Sequence, residues 1–531
     1  MNKNGVDICL INGNVITMSD KLPRAEAIAI RGEKILAVGT SEEILSLVSK
    51  STRVIDLKGK TVLPGFIDTH VHLTEYGLLL SSINLKNVRS IAEMKEKISD
   101  FSKRAKKDEW IIGFGWDEGK LAEKRPPTRW DLDEASPENP VVVFRVCGHV
   151  CTLNSRALEK LNITEKTPPP PGGEIDKDPK TGQPTGILKE TAAMMVTSAI
   201  PLSDERLYEI LKAACKEAIR HGLTSVHCIV KSIQEIRAFQ RMLKSKELPL
   251  RVHILPFVNL LHHVSKLKKE FERSKDYLSL GALKIILDGS LGARTAALTE
   301  PYSDDPDNTG ILWFDQTTLN EIVYRAHKDG IQVAIHCIGD KAVEVALNAI
   351  EEALRRLPRE DHRHRIEHAS LLNSSLIKRL RRLRVIASVQ PHFIVSDKEW
   401  LPSRLGPERI RHVYPFKTMI DNGILLTGSS DCPVEPINPL SGIRAAVERN
   451  GFFPEEALSV NQAIRMYTIN AAYSSFDENK KGSIEPRKFA DLVVLSKDPF
   501  EVPKGKIDEI EVEMTIVGGK IVYAKESLLT S

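Results

Sequence analysis

The chain has 531 residues, of which 41% are hydrophobic and 27% charged, and its formal net charge is +4. This is the composition of a globular protein too long for one simple core, so two or three domains are expected. The small charge is spread along the chain and gives no reason to expect nucleic acid or an acidic membrane surface as a partner.

The first residues, MNKNGVDICLINGN, hold no long apolar stretch and no small-residue cleavage site, so no secretory signal is expected. No segment approaches the ~20 apolar residues needed to cross a bilayer. The seven cysteines (Cys9, Cys147, Cys151, Cys215, Cys228, Cys337 and Cys432) are scattered singly, with no CxxC pair. A disulfide framework or thiolate zinc site is therefore not expected, and a cytoplasmic location is.

Three hairpin signals lie near the two ends: ICLINGNVIT (8–17), AIAIRGEKILAVG (27–39) and MTIVGGKIVYA (514–524). Each has β-branched residues flanking a glycine-containing turn. With the strand-like ADLVVL (490–495), they predict one small β-domain built from both termini and closing around a middle domain. The expected bounds are 1–62 and 478–531 for its two parts.

The middle, 63–477, alternates strand and helix. Strand candidates are GFIDTHVH (65–72), LTSVHC (223–228), LRVHIL (250–255), ALKIIL (282–287), IQVAIH (331–336), HRIEH (364–368), VIASVQ (385–390) and ILLTGSSD (424–431). Helix-period segments such as AVEVALNAIEEALRRL (342–357) and SSLIKRLRRL (374–383) lie between most of them. The basic run Lys378–Arg384 within the latter reads as a solvated helix face. Eight strands with crossover helices predict an α/β fold, a distorted (β/α)8 TIM barrel. One long insert, about 74–215, separates the first strand from the second. It contains the strand candidate VVVFRV (141–146) and the turn-rich PPPPGGEIDKDPKTGQPTG (168–186), and is expected to act as a lid or subdomain at the barrel mouth.

The chemistry-bearing residues fall at strand ends. His70 and His72 close the first strand two residues apart, so both imidazoles can share one face and grip one cation. His336, His368 and Asp431 end later strands. A lone histidine at a strand end is more often a satisfied structural residue than a ligand, but four histidines and one aspartate converging on one rim are hard to dismiss. Imidazole plus carboxylate suits zinc first, with iron or manganese also compatible. Lys284 lies inside an otherwise apolar strand, where an uncompensated ammonium is costly. It either snorkels to the rim or reaches the metals as a carbamate.

The ordered set HxH, Lys, His, His, Asp resembles the amidohydrolase superfamily, and more narrowly its family 3 branch, which includes N-substituted formamide deformylases. The matching runs are LPGFIDTHVHL, GWDE (115–118), GHVCTLNSRAL (148–158), LKIILDGSLGARTA (283–296), HCIGDKAV (336–343), RIEHA (365–369), SVQPH (388–392) and GSSDCPVEPINPL (428–440). They cover nearly the whole chain. The resemblance implies a barrel with a β-sandwich made from both termini, and two divalent metal ions. His70 and His72 would bind the first, His336 and His368 the second. Lys284, as a carbamate, would bridge them, and Asp431 would touch the first metal and act as general acid/base. A metal-bridging hydroxide would then attack a small-molecule amide, N-acyl or N-formyl substrate at its C–N bond. A homodimer is a further family-level expectation.

Other residues have two readings each. His149 either hydrogen-bonds the developing oxyanion or serves the insert's own structure. Arg294 either holds a substrate carboxylate or carbonyl, or makes a surface ion pair. Trp116 is either a pocket wall or core packing, and His392 is a site-lining candidate. Two other functions were weighed. A mononuclear deaminase on the same fold would resemble its relatives in a glutamate three residues after His336, where this chain has Gly339. A non-catalytic scaffold would have lost several ligands, whereas all six positions are kept here.

Overall fold

The computed structural model describes residues 5–146, 150–170, 173–200, 202–271 and 276–529. The chain divides into two compact units: residues 1–74 together with 214–531, and residues 75–213.

In the first unit the terminal segments form two sheets, one from the N-terminal residues alone and one from both ends. One runs in the order Lys34–Gly39, Ala27–Arg31, Ile8–Ile11, Arg53–Asp56; the other runs Lys520–Ala524, Val512–Val517, Leu492–Leu495, Thr61–Pro64, Asn14–Ile16, Arg24–Ala25. Thr61–Pro64 pairs antiparallel with Leu492–Leu495, so N- and C-terminal segments are neighbours in one ladder. Leu10, Ile28, Ile30, Ile35 and Ile55 of the first sheet pack with Val15, Val62, Leu492, Val494, Met514 and Ile516 of the second in one buried cluster.

Two of the three expected hairpins form, 27–39 and 514–524. The first does not. Ile8–Ile11 and Asn14–Ile16 belong to different sheets, and the chain crosses between them at Asn12–Gly13. Each strand finds its partners elsewhere: Ile8–Ile11 pairs with Ala27–Arg31 and Arg53–Asp56, and Asn14–Ile16 with Arg24–Ala25 and Thr61–Pro64.

The remaining strands of this unit are parallel. Leu278–Leu280, Arg251–Pro256, Leu223–Val230 and Phe66–Val71 form one arc; Leu283–Ile286, Val333–Cys337, Arg365–His368, Ile386–Val389 and Leu426–Gly428 form another. The arcs meet on both sides. On one, the segment 278–286 is a strand interrupted at Gly281–Ala282, its first half paired to one arc and its second to the other. Gly281 is required there because a Cβ would lie 2.3 Å from His253 Nε2. On the other side, Asp431 N–H donates to His70 C=O (2.9 Å) and His72 N–H to Cys432 C=O (2.9 Å). Helices Asp340–Arg356 and Ser374–Arg382 lie near their expected bounds. The latter buries Leu376, Ile377 and Leu380 and turns its basic residues outward, where Arg379 and Arg382 pair with Glu351.

The second unit has its own six-stranded mixed sheet, in the order Gly173–Lys177, Pro184–Glu190, Val150–Leu153, Val141–Arg145, Ile111–Trp116, Ile83–Asn84. The turn-rich run thus contains a hairpin, with Gly173–Lys177 pairing antiparallel to Pro184–Glu190. Leu85, Met94, Ile98, Leu121, Leu132 and Val143 give this unit a core of its own. Among the described residues, no helix is long and apolar enough to cross a membrane.

Candidate metal centre

All six expected ligands belong to the first unit, at or just beyond the C-terminal ends of its parallel strands, except Lys284, which lies within one. His70 Nε2 and His72 Nε2 lie 3.2 and 3.1 Å from the same Asp431 oxygen, Oδ1. One ligand atom from each of the three can be chosen so that all lie within 4.8 Å of one another, a spacing that suits a shared cation. The cluster continues through His368, whose ring centroid is 5.0 Å from that of His70 and 4.3 Å from that of His336. Lys284 Nζ is 3.5 Å from His70 Nε2 and almost wholly buried. Burial lowers its pKa to about 8, against the opposing pull of Glu367 and Asp431.

The imidazoles are aimed by partners on their other nitrogens. His70 Nδ1–H donates to Glu367 Oε2 (2.5 Å) and His368 Nδ1–H to Gln390 Oε1 (2.6 Å), which leaves each Nε2 as the lone-pair side. His336 is the reverse. Its Nε2–H donates to Gly289 C=O (3.1 Å), so Nδ1 carries the lone pair. Burial, reinforced by the Lys284 charge, lowers its pKa to about 3, which favours the neutral, ligating form. For Asp431, burial acts upward, but when no cation lies between them a protonated His70 ring also faces it through Nε2. That charge and the contacts of His70 and His72 with the carboxylate outweigh burial and hold the carboxyl well below its usual range.

Several supporting residues escaped sequence reasoning. Asp68 is buried and accepts from His70 N–H (3.0 Å) and Ser430 Oγ–H (2.5 Å), tying the first strand to the Asp431 loop. Arg365 and Glu367 form a two-bond ion pair (2.7 and 2.9 Å), both completely buried, and Arg365 also donates to Thr69 C=O and His227 Nδ1. Asp288 accepts backbone N–H bonds from Ala297, Ile338 and Gly339, fixing the turn after His336. Burial nonetheless pushes its pKa up to about 7. The available signal was in HRIEH: two charges two residues apart, on one face of a strand that has to be interior.

The remaining expectations divide. Trp116 is not a pocket wall. It is completely buried in the second unit's own core and its indole N–H donates to Val143 C=O (3.0 Å), so the packing reading replaces the pocket one. Arg294 Nε and Nη2 are both committed to Asp304 (3.0 Å each), which Arg404 also engages, as the surface-pair alternative requires. His392 follows the strand Ile386–Val389 on the rim, with Nδ1 2.6 Å from Glu435 Oε2. His149 lies outside the described residues. Cys337 and Cys432 are buried, and burial raises both thiols above their ordinary range, consistent with packing.

Clustered imidazoles, a carboxylate and a buried amine near one end of a parallel α/β scaffold are a donor set that divalent cations accept. The sequence comparisons supply the family: the profile described as the amidohydrolase family, in its family 3 branch, matches residues 53–523, and the chain belongs to it. Over its whole length the chain is similar to YtcJ of Bacillus subtilis (35% identical, covering 97% of this chain and 98% of that one). It is also similar to N-substituted formamide deformylase of Arthrobacter pascens (30%, covering 98% of each). Among solved structures, an uncharacterized metal-dependent hydrolase from Pyrococcus furiosus superposes with a TM-score of 0.80 at 33% identity, covering 93% of this chain and 100% of that one.

Proposed function

We propose that the protein is a binuclear metal-dependent amidohydrolase that cleaves the C–N bond of a small amide, N-acyl or N-formyl substrate. The observation that carries this reading is the cluster of His70, His72 and Asp431 around one position, with Lys284 Nζ 3.5 Å from His70 Nε2 and the His368 and His336 rings adjoining. The donor set fits two cations: the outer partners of His70, His336 and His368 define the lone-pair sides of those rings, and the oxygens and nitrogens are those that zinc, iron or manganese accept. The scaffold we assign is a distorted (β/α)8 barrel over 63–477 with an insert at about 74–215, and a β-sandwich from 1–62 and 478–531.

His70 and His72 would hold one ion and His336 and His368 the other, with a Lys284 carbamate offering one oxygen to each and Asp431 completing the first set. Bound there, the ions would supply Lewis acidity toward the scissile carbonyl and toward water. Asp431 accepts the proton of the attacking water and passes it to the leaving nitrogen. Deamination is disfavoured because the position three residues after His336 is Gly339, whose N–H is already bonded to Asp288.

The experiment is elemental analysis of the purified chain, followed by a screen against N-formyl, N-acyl and cyclic amides that scores amine and carboxylate release. About two metals per chain and release from at least one class are expected. The likeness to N-substituted formamide deformylase puts N-formyl amines first. A chain that stays metal-free after reconstitution with zinc, manganese or iron would sink the reading. Size-exclusion chromatography tests the homodimer.

A further inference from the structure

His392 belongs to a network that uses every one of its polar atoms but one. The residue opens the short helix Phe393–Asp397 beyond the strand Ile386–Val389. Its two flanks touch the metal centre: Gln390 accepts from His368 Nδ1, and the Phe393 ring stacks on that of His368 (centroids 6.0 Å, planes 5° apart). Its partner Glu435 comes from the loop that carries Asp431, where Val434 N–H donates back to Asp431 C=O (2.9 Å). The pair therefore joins two loops that each hold a proposed ligand or its support.

Glu435 is nearly buried and both of its oxygens are taken. Oε2 meets His392 Nδ1 at 2.6 Å and Oε1 accepts from Ser396 Oγ at 2.5 Å. Behind them Tyr414, also buried, donates its hydroxyl to Asp397 Oδ2 at 2.6 Å. Burial and the neighbouring Glu435 charge keep the Asp397 carboxyl high, at about 7, despite that bond. A carboxylate only accepts, so His392 Nδ1 has to carry the proton. Nε2 is then a lone pair in the neutral ring, and it has no hydrogen-bond partner among the described residues. The side chain is 18% exposed rather than sealed in the core.

We infer that Glu435 is a positioning residue that fixes His392 as the Nδ1–H tautomer, and that His392 Nε2 accepts a hydrogen bond from the N–H of the substrate's amide. The inference rests on the amidohydrolase reading and narrows it. The site selects secondary amides, which carry an N–H on the leaving side, over tertiary amides, which do not. A pocket built to bind a polar hydrogen rejects the analogue that lacks it, because the bound analogue covers the acceptor and leaves it unpaired.

The test uses the full-length, zinc-reconstituted chain at pH 8, where an ordinary histidine is neutral. Histidine-selective 15N NMR, with the His392 signals assigned by their loss in His392→Ala, reads the tautomer without any substrate. Wild type is expected to show a protonated Nδ1 at His392, and Glu435→Ala a mixture of tautomers. Rates on 4-nitroformanilide and on its N-methyl derivative then give the selectivity. His392→Ala is expected to lower the ratio of kcat/KM values about tenfold or more, the equivalent of one lost hydrogen bond. Glu435→Ala should lower it similarly, and the double variant should fall no further than His392→Ala, because Glu435 acts through His392. Zinc content and melting temperature, followed alongside, mark a variant that merely fails to fold. A His392 protonated at Nε2, an unchanged ratio in a folded, zinc-loaded His392→Ala, or losses that multiply in the double variant would each overturn the proposal. If wild type cleaves neither compound although it holds zinc, the amide reading of the site fails and the selectivity with it, while the tautomer spectrum still decides the Glu435–His392 pair.

Discussion

Glu367 Oε2 accepts a hydrogen bond from His70 Nδ1 at 2.5 Å with both side chains buried, and the same carboxylate is gripped by Arg365. One acidic group therefore aims a proposed ligand and neutralises a buried guanidinium. Glu367→Ala should weaken metal binding ~10–100-fold, the usual cost of losing a ligand's outer partner. It should also destabilise the fold by about 3–5 kcal/mol, because Arg365 is left buried and unpaired. Metal titration and denaturant unfolding measure the two losses separately. Unchanged metal affinity would show that His70 needs no such support.

Asp431→Asn should nearly abolish turnover while most of the metal stays bound. The amide cannot take a proton from water, yet the four histidines and Lys284 remain. The check pairs kinetics on a substrate found in the screen with elemental analysis. Wild-type turnover in this variant would remove Asp431 as the base.

Under the proposed binuclear reading, Lys284→Ala should lose one of two metals and most of the activity, since no other described side chain takes the bridging place. Short carboxylic acids added to the variant should restore part of both by supplying the two oxygens of the proposed carbamate. Full metal content and rate in Lys284→Ala without any additive would rule out the bridge.

Stability should fall in mild acid because of a histidine chain remote from the rim. His364 Nδ1 accepts Val333 N–H, and its Nε2–H donates to His327 Nδ1 (2.9 Å); His327 Nε2–H donates to Leu357 C=O (2.7 Å). His362 Nδ1 accepts His364 N–H while its Nε2–H donates to Leu383 C=O (2.8 Å). Each ring is committed to the neutral form, and burial lowers the pKa of all three below the ordinary 6.5. Folded pKa values below the unfolded ones mean that the unfolded chain binds protons first. The stability is complete above about pH 6.5 and is lost as pH falls below it. For His364, completely buried, the slope approaches about 1.4 kcal/mol per pH unit. Melting temperatures between pH 8 and 5 test this, with His364→Gln expected to flatten the fall. Equal slopes in the two proteins would show that the chain is not acid-sensitive.

Much of the centre was legible because strands alternate and because parallel α/β folds put chemistry at one end of their strands. His70, His336, His368 and Asp431 could be picked out from those two regularities alone. The break at Gly281–Ala282 was not, since it depends on His253 from a neighbouring strand occupying the space of a Cβ. Nor was the fate of Trp116. An aromatic beside a motif reads the same whether it lines a pocket or fills a core, and only the contacts with Val143 and its neighbours decide. The false hairpin at 8–17 failed for a similar reason: Asn-Gly marks a change of direction, but the partners of each strand come from Ala27–Arg31 and Thr61–Pro64, far along the chain.

The pairing of Thr61–Pro64 with Leu492–Leu495 sets an order of events during synthesis. The ribosome releases the first strand of that pair early and the second only near the end of the message. At ~5–20 residues per second, the gap is on the order of tens of seconds. Through that interval Val15 and Val62 have no Leu492, Val494 or Met514 to cover them, and one strand edge stays unpaired. The nascent chain therefore carries a sticky, half-built sheet while everything between is made. A polypeptide cut short before residue 490 would keep that edge for its whole life, making premature termination a direct route to aggregation rather than to a smaller folded protein.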